Sequence, residues 1–280
     1  MSSKPLLPSP LRGENLTLSY DKKIVAQDLS VAIPEGSLTV IIGPNACGKS
    51  TLLKTLSRLM QPQAGSVWLN GEQISRYATK EVARQLGLLP QSSNAPGDIS
   101  VMDLVARGRY PHQGLFKRWT PEDQQAVDEA MQATGITELA DSAVDTLSGG
   151  QRQRVWIAMV LAQQTPLLLL DEPTTWLDIA HQIDLLELMR ELNLKNGRTL
   201  VVVLHDLNHA CRYASHLIAM KGGKVLAEGS PKQIVTAELV EEVFGLKCMI
   251  IEDPVAHTPL IIPLGGVWSN SGRLPVAGRA

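Results

Sequence analysis

The sequence predicts an α/β fold: a mostly parallel core sheet, an N-terminal antiparallel β-subdomain and an inserted helical subdomain. Three observations carry this. Leu38 to Ile42, Leu167 to Leu170 and Leu200 to Leu204 are short apolar runs without alternation, as suits strands buried on both faces. Before Gly71, by contrast, alternation and turn residues indicate antiparallel strands. From about Pro96 to Thr146 the apolar spacing is helical, with no convincing strand.

In chain order, Met1 to Pro10 holds several prolines and no apolar stretch long enough for a secretory signal, so 1–10 reads as a tail. Leu16, Leu18 and Tyr20 alternate with polar residues, and Asp21-Lys22-Lys23 supplies a turn. Leu29 to Ile33 continues as a strand until Pro34-Glu35-Gly36 breaks it. After the Leu38 strand, Leu52, Leu53, Leu56, Leu59 and Met60 fall on one helical face. Val67-Trp68-Leu69 runs into Asn70-Gly71, a strong hairpin signal. In the helical stretch Val101, Leu104 and Val105, then Val127, Ala130 and Met131, share faces, and Thr120-Pro121-Glu122-Asp123 is a capping sequence. A further helix is expected over Arg152 to Gln164, stopped by Pro166. The expected organisation is one domain over 11–265, its helical subdomain at about 96–146, and a Gly/Ser/Pro tail at 266–280.

Composition narrows the function. The chain has 280 residues, 44% hydrophobic and 19% charged, with a net charge of −2, so it is globular and lacks the basic excess of a non-specific nucleic-acid binder. No apolar run approaches the ~20 residues that span a bilayer. Cys47, Cys211 and Cys248 are scattered and odd in number, a reducing-compartment pattern.

Gly43-Pro44-Asn45-Ala46-Cys47-Gly48-Lys49-Ser50 matches G-x-x-x-x-G-K-[ST] between a buried strand and a helix, the context this motif requires. Such a loop turns backbone N–H groups inward at a helix N-terminus and so holds phosphate. Lys49 can reach the β- and γ-phosphates, and the Ser50 hydroxyl can ligate Mg²⁺. Ala46 stands where such loops usually carry glycine. At φ > 0 it would cost roughly 1 kcal/mol, and the position is read as an ordinary one. Cys47 reads as a packed bystander.

Leu168-Leu169-Leu170-Asp171-Glu172-Pro173 ends a buried strand in two carboxylates. Adjacent strand residues point opposite ways, so Asp171 suits the Mg²⁺ shell and Glu172 is placed to polarise a water attacking the γ-phosphate. Leu147-Ser148-Gly149-Gly150-Gln151 opens a helix with Ser148 as N-cap, a second place for an anion.

Together these three motifs resemble the ATP-binding subunit of an ABC transporter, a P-loop NTPase, over about Leu11 to Leu264. The resemblance implies an ATPase using ATP and Mg²⁺, with nucleotide contacts from the Gly43–Ser50 loop and Thr51. It also gives roles to other residues: Tyr20 stacks on adenine, Gln91 contacts Mg²⁺ and senses the permease, and Asp178 in Trp176-Leu177-Asp178 links two sites. His205 touches the γ-phosphate. Two copies would pack head to tail, each ATP lying between the Gly43 loop of one and Ser148 to Gln151 of the other.

Val105 to His112, Leu204-His205-Asp206-Leu207-Asn208 and Thr258 to Pro263 resemble ATPases of ferric-siderophore importers, the ferric-enterobactin branch in particular. That implies a separate polytopic permease, indirectly a periplasmic or extracellular siderophore-binding protein, no nucleic-acid partner, and a peripheral place on the cytoplasmic face of the inner membrane. The helical insertion is expected to dock the permease, with Arg107 and Arg109 at the contact. An ATPase for another metal chelate or cobalamin, and a soluble non-transport ABC ATPase, stay open as alternatives.

Overall fold

The computed structural model describes residues 9–20, 23–91, 95, 97–114 and 119–265. Most of the expected 1–10 tail, the turn residues Asp21 and Lys22, Pro96 and the whole 266–280 tail lie outside the described residues.

The chain opens with β1 (Leu11–Tyr20) and β2 (Lys23–Ile33), paired antiparallel from Leu11↔Ile33 to Tyr20↔Lys23. Pro34 and Gly36 then turn it into β3 (Leu38–Ile42), every residue of which is buried. α1 (Lys49–Leu56) is followed by β4 (Ala64–Leu69) and the short β5 (Glu72–Gln73), joined through Asn70-Gly71 as the hairpin signal predicts. These strands form an antiparallel sheet in the order β2-β1-β4-β5. Leu59 and Met60 do not extend α1 as expected. Arg58 takes φ +64° and ends the helical path, leaving Leu59 63% exposed.

Next come α2 (Thr79–Gln85) and β6 (Leu86–Leu89), then the helical stretch, α3 (Val101–Ala106) and α4 (Pro121–Ala133). Thr120 caps α4: its hydroxyl accepts from the Asp123 amide while the Asp123 carboxylate accepts from the Thr120 amide. α5 (Gly149–Ala162) starts three residues before the expected Arg152, because Ser148 and Gln151 form the same kind of reciprocal cap. Then β7 (Leu167–Asp171), α6 (Ile179–Asn196), β8 (Thr199–Val203), α7 (Leu207–Tyr213), β9 (His216–Lys221) and β10 (Lys224–Gly229) complete the core. α8 (Pro231–Ile234), α9 (Ala237–Phe244) and the hairpin β11 (Cys248–Glu252)–β12 (Pro259–Pro263) follow.

The core sheet has the order β10-β9-β3-β8-β7-β6, parallel throughout except for the β9–β10 hairpin at its edge. The three apolar runs are its central strands, and strand alternation divides their side chains between two cores. Val40, Ile42, Leu168, Leu170, Leu200 and Val202 pack with the helices on one face. Ile41, Leu169, Val201 and Val203 pack with α1 and the antiparallel sheet on the other. The registers Ile41↔Val203 and Asp171↔Val203 bring the carboxyl ends of β3, β7 and β8 level. The loops leaving those ends build the site, as open parallel sheets dictate.

One expected surface residue proves internal. Arg109 is 6% exposed, its Nε 2.9 Å from Asp123 Oδ1 and its Nη1 on the Ala162 carbonyl at 2.8 Å. It fastens the segment after α3 to α4 and α5, so it supports the fold instead of facing a partner.

Candidate nucleotide site

Gly43 and Gly48 are glycines because of their surroundings. A Cβ on Gly43 would lie 2.3 Å from the Met220 carbonyl oxygen, and Gly48 takes φ +107°. Gly48 N-caps α1 without a side chain, so the first-turn amides stay available to an anion. Ala46 is a correction: it takes φ +61°, the left-handed conformation the loop's turn demands, at a cost of about 1–2 kcal/mol. The buried Lys49 runs along the loop and donates to the carbonyls of Gly43 at 2.8 Å and Pro44 at 2.9 Å. Cys47 is buried, and desolvation pushes its thiol up against the pull of Lys49, which fits packing and not reactivity.

The two carboxylates diverge, but not by the expected strand alternation: β7 ends at Asp171, and Glu172 is already outside the strand. Asp171 is 1% exposed and accepts from the Ser50 hydroxyl at 2.9 Å through Oδ1, while its Oδ2 is buried without a partner. Burial raises its pKa, opposed by the Ser50 hydrogen bond and reinforced by the nearby Glu172 charge. Glu172 leaves the strand at φ +53° and turns the other way. Its Oε2 accepts from Gln91 Nε2 at 2.8 Å, and its Oε1 lies 2.7 Å from His205 Nε2.

A cleft of about 580 Å³ collects these groups: Asn45, Ala46, Gly48, Lys49, Ser50 and Thr51 from the loop, Gln91, Glu172 and His205 from other strand ends, and Tyr20 with Val25 from the antiparallel sheet. Asp171 lies beneath it, joined through Ser50. Sequence reasoning missed Val25, because nothing in a strand sequence says which residue will meet a distant loop. The donor set fits Mg²⁺: a buried carboxylate with an orphaned oxygen and a hydroxyl are hard ligands. Gln91 holds Glu172 through its amide nitrogen, which leaves its carbonyl oxygen for a cation. Bound Mg²⁺ would neutralise phosphate charge there. The chain itself places free helix-end amides, a lysine and the Glu172 carboxylate, its side chain only 12% exposed, around one cleft.

Ser148, Gly149, Gly150, Gln151 and Asp178 do not line that cleft. They line a second one, also about 580 Å³, with Trp176 and His181. Asp178 N-caps α6, accepting from the His181 amide at 2.9 Å and facing its Nδ1 at 2.8 Å, which holds its carboxyl below the usual range. Trp176 and Ile179 beside it are 76% and 78% exposed. So one chain keeps the helix N-termini at Gly48 and Ser148 in separate clefts, the second rimmed by open apolar surface.

The family model for the ABC transporter matches residues 26–175. The ferric enterobactin transport ATP-binding protein FepC of Escherichia coli (strain K12) is 70% identical over 255 residues, 91% of this chain and 94% of that protein. The achromobactin transport ATP-binding protein CbrD of Dickeya dadantii (strain 3937) is 51% identical over 255 residues, 91% of this chain and 95% of its own. A solved dimeric bacterial ABC transporter cassette superposes with a TM-score of 0.71 at 28% identity, covering 79% of this chain and 98% of that one. The same cassette in a post-hydrolysis dimer bound to ADP and phosphate gives 0.70, with the same identity and coverage.

Proposed function

This chain belongs to the ABC transporter family as an ATP-hydrolysing subunit, and we propose that it powers import of a ferric siderophore of the enterobactin type. The observation that carries the chemistry is the cleft uniting the Gly43–Ser50 loop with Glu172 and His205. The iron chelate rests on similarity to the enterobactin subunit along most of both chains. We assign Tyr20 to the base, the loop with Lys49 and Thr51 to the phosphates, and Ser50, Asp171 and Gln91 to Mg²⁺. Glu172 is the general base for the attacking water, and His205 steers it and meets the γ-phosphate. Ser148 to Gln151 and Asp178 serve the nucleotide of a second copy packed head to tail. The domain is taken as 11–265 with the helical subdomain at about 96–146 inserted.

No described helix is long and apolar enough to cross a membrane. On the similarity to the enterobactin transport subunit, we take separate permease chains to carry the chelate, supplied by a siderophore-binding protein, with the ATPase on the cytoplasmic face of the inner membrane. Uptake tests this. In a bacterium lacking its own ferric-enterobactin ATPase, the chain should restore uptake of iron-labelled enterobactin and should co-purify with the permease. Restored uptake of cobalamin or another chelate, with none of ferric enterobactin, would reject the substrate assignment.

A further inference from the structure

We propose that Gly223, in the turn between β9 and β10, is a positioning residue that sets the distance between the cleft's base-facing wall and its phosphate loop. Lys221 pairs with Lys224, which leaves Gly222 and Gly223 as a two-residue turn at φ +54° and +76°. Hairpin turns of this kind need φ > 0 at both centres, so glycine suits either place. Packing separates the two. A Cβ on Gly222 would meet nothing within 4 Å, whereas one on Gly223 would lie 2.2 Å from the Val25 carbonyl oxygen and 2.7 Å from Ala26 Cα. These are backbone atoms of β2, held in register against β1 by pairs such as Leu18↔Ala26, and they cannot swing aside as a side-chain tip can.

The same hairpin braces the phosphate loop. The Gly223 N–H donates to the Cys47 carbonyl at 3.2 Å, and the Met220 carbonyl of β9 faces Gly43 at the contact already described. Val25 closes the triangle. Its Cγ1 lies 3.1 Å from where a Cβ on Gly48 would stand, and it lines the cleft with Tyr20. One turn therefore touches β2, which carries Val25 and pairs with β1 at Tyr20, on one side and the Gly43–Ser50 loop on the other. A methyl at position 223 would force β2, and Tyr20 with it, away from the loop.

This rests on the reading of Tyr20 and Val25 as the wall for the base. The test measures binding of ATP and of inorganic tripolyphosphate, each with Mg²⁺, to the full chain. Gly223→Ala should weaken ATP roughly tenfold, the scale of one weakened base-stacking contact, and leave tripolyphosphate unchanged. Gly222→Ala, also at positive φ but unobstructed, should alter neither. Equal weakening of both ligands by Gly223→Ala, or unchanged ATP affinity, overturns the proposal. If Gly223→Ala does not fold, Val25→Ala should show the same selective loss, and its absence overturns the proposal. Tyr20→Ala separates the two layers. Unchanged ATP affinity there removes the base wall and the strut together. A selective ATP loss there, with none in Gly223→Ala, removes the strut alone.

Discussion

Glu172 is the residue on which the proposed turnover chemistry depends most. It holds Gln91 through one carboxylate oxygen and His205 through the other, from a left-handed backbone position that a glutamate adopts only where surroundings compel it. Glu172→Gln keeps the size and removes the basicity, so ATP binding should survive while turnover falls by roughly 10²–10⁴, the usual worth of a positioned base. Near-normal hydrolysis by the purified variant would remove Glu172 from that role. At this scale much of the site was legible. The loop spacing pointed to Lys49 and Ser50, and the strand-end pair marked Asp171 and Glu172, although Glu172 turns away through its positive φ and not through strand alternation. What was not legible is conformation and partnership. Ala46 carries no mark of its positive φ in its side chain, and Arg109 gives no sign that Asp123 will bury it.

Among elements, the Arg109–Asp123 pair ties the helical layer together and is open to a direct test. Burial alone would raise the Asp123 pKa, but hydrogen bonds from Arg109 and Thr120 outweigh it and hold the carboxyl below its ordinary 3.8. A depressed folded-state pKa contributes stability above the unfolded value, and that contribution fades as pH falls through the folded one. Arg109→Ala leaves a buried carboxylate without its cation and should cost about 3–5 kcal/mol at neutral pH in denaturant unfolding. The gap from the parent should hold from pH 7 to about 4 and narrow only as pH falls below 3.8, where Asp123 protonates in the folded parent. A gap that stays constant well below pH 3.8 would assign the loss to packing alone. Elements with a strong local signature were read correctly from sequence: the Asn70-Gly71 hairpin, the Thr120 cap and the runs at Leu167 and Leu200. β6, β9 and the β11–β12 hairpin were missed, because Leu86–Leu89 and His216–Lys221 become strands through neighbours far away in the chain. β6 pairs with β7 and β9 with β3. Tertiary pairing decides such segments more than propensity does.

For the whole molecule the central feature is the separation of two clefts, one around the Gly43 loop and one around Ser148 and Asp178. A single chain does not bring them together, and the exposed Trp176 and Ile179 beside the second offer apolar surface for another copy. Two copies related by a twofold axis would place each Ser148 cleft against the partner's Gly43 loop, giving two composite sites. The sharpest measurement is hydrolysis by mixed variants. Lys49→Ala removes the charge proposed to meet the phosphates, and Ser148→Arg obstructs the proposed opposing helix end. Each variant alone carries a lesion in both sites of its dimer and should be nearly inactive. Mixed in equal amounts with random pairing, half the dimers are heterodimers in which both lesions share one site and the other is whole. That leaves about a quarter of all sites intact. Hydrolysis should therefore rise on mixing to a clear fraction of the parent rate. A mixture that stays at the sum of the two variants, with heterodimers present, would contradict the shared-site account.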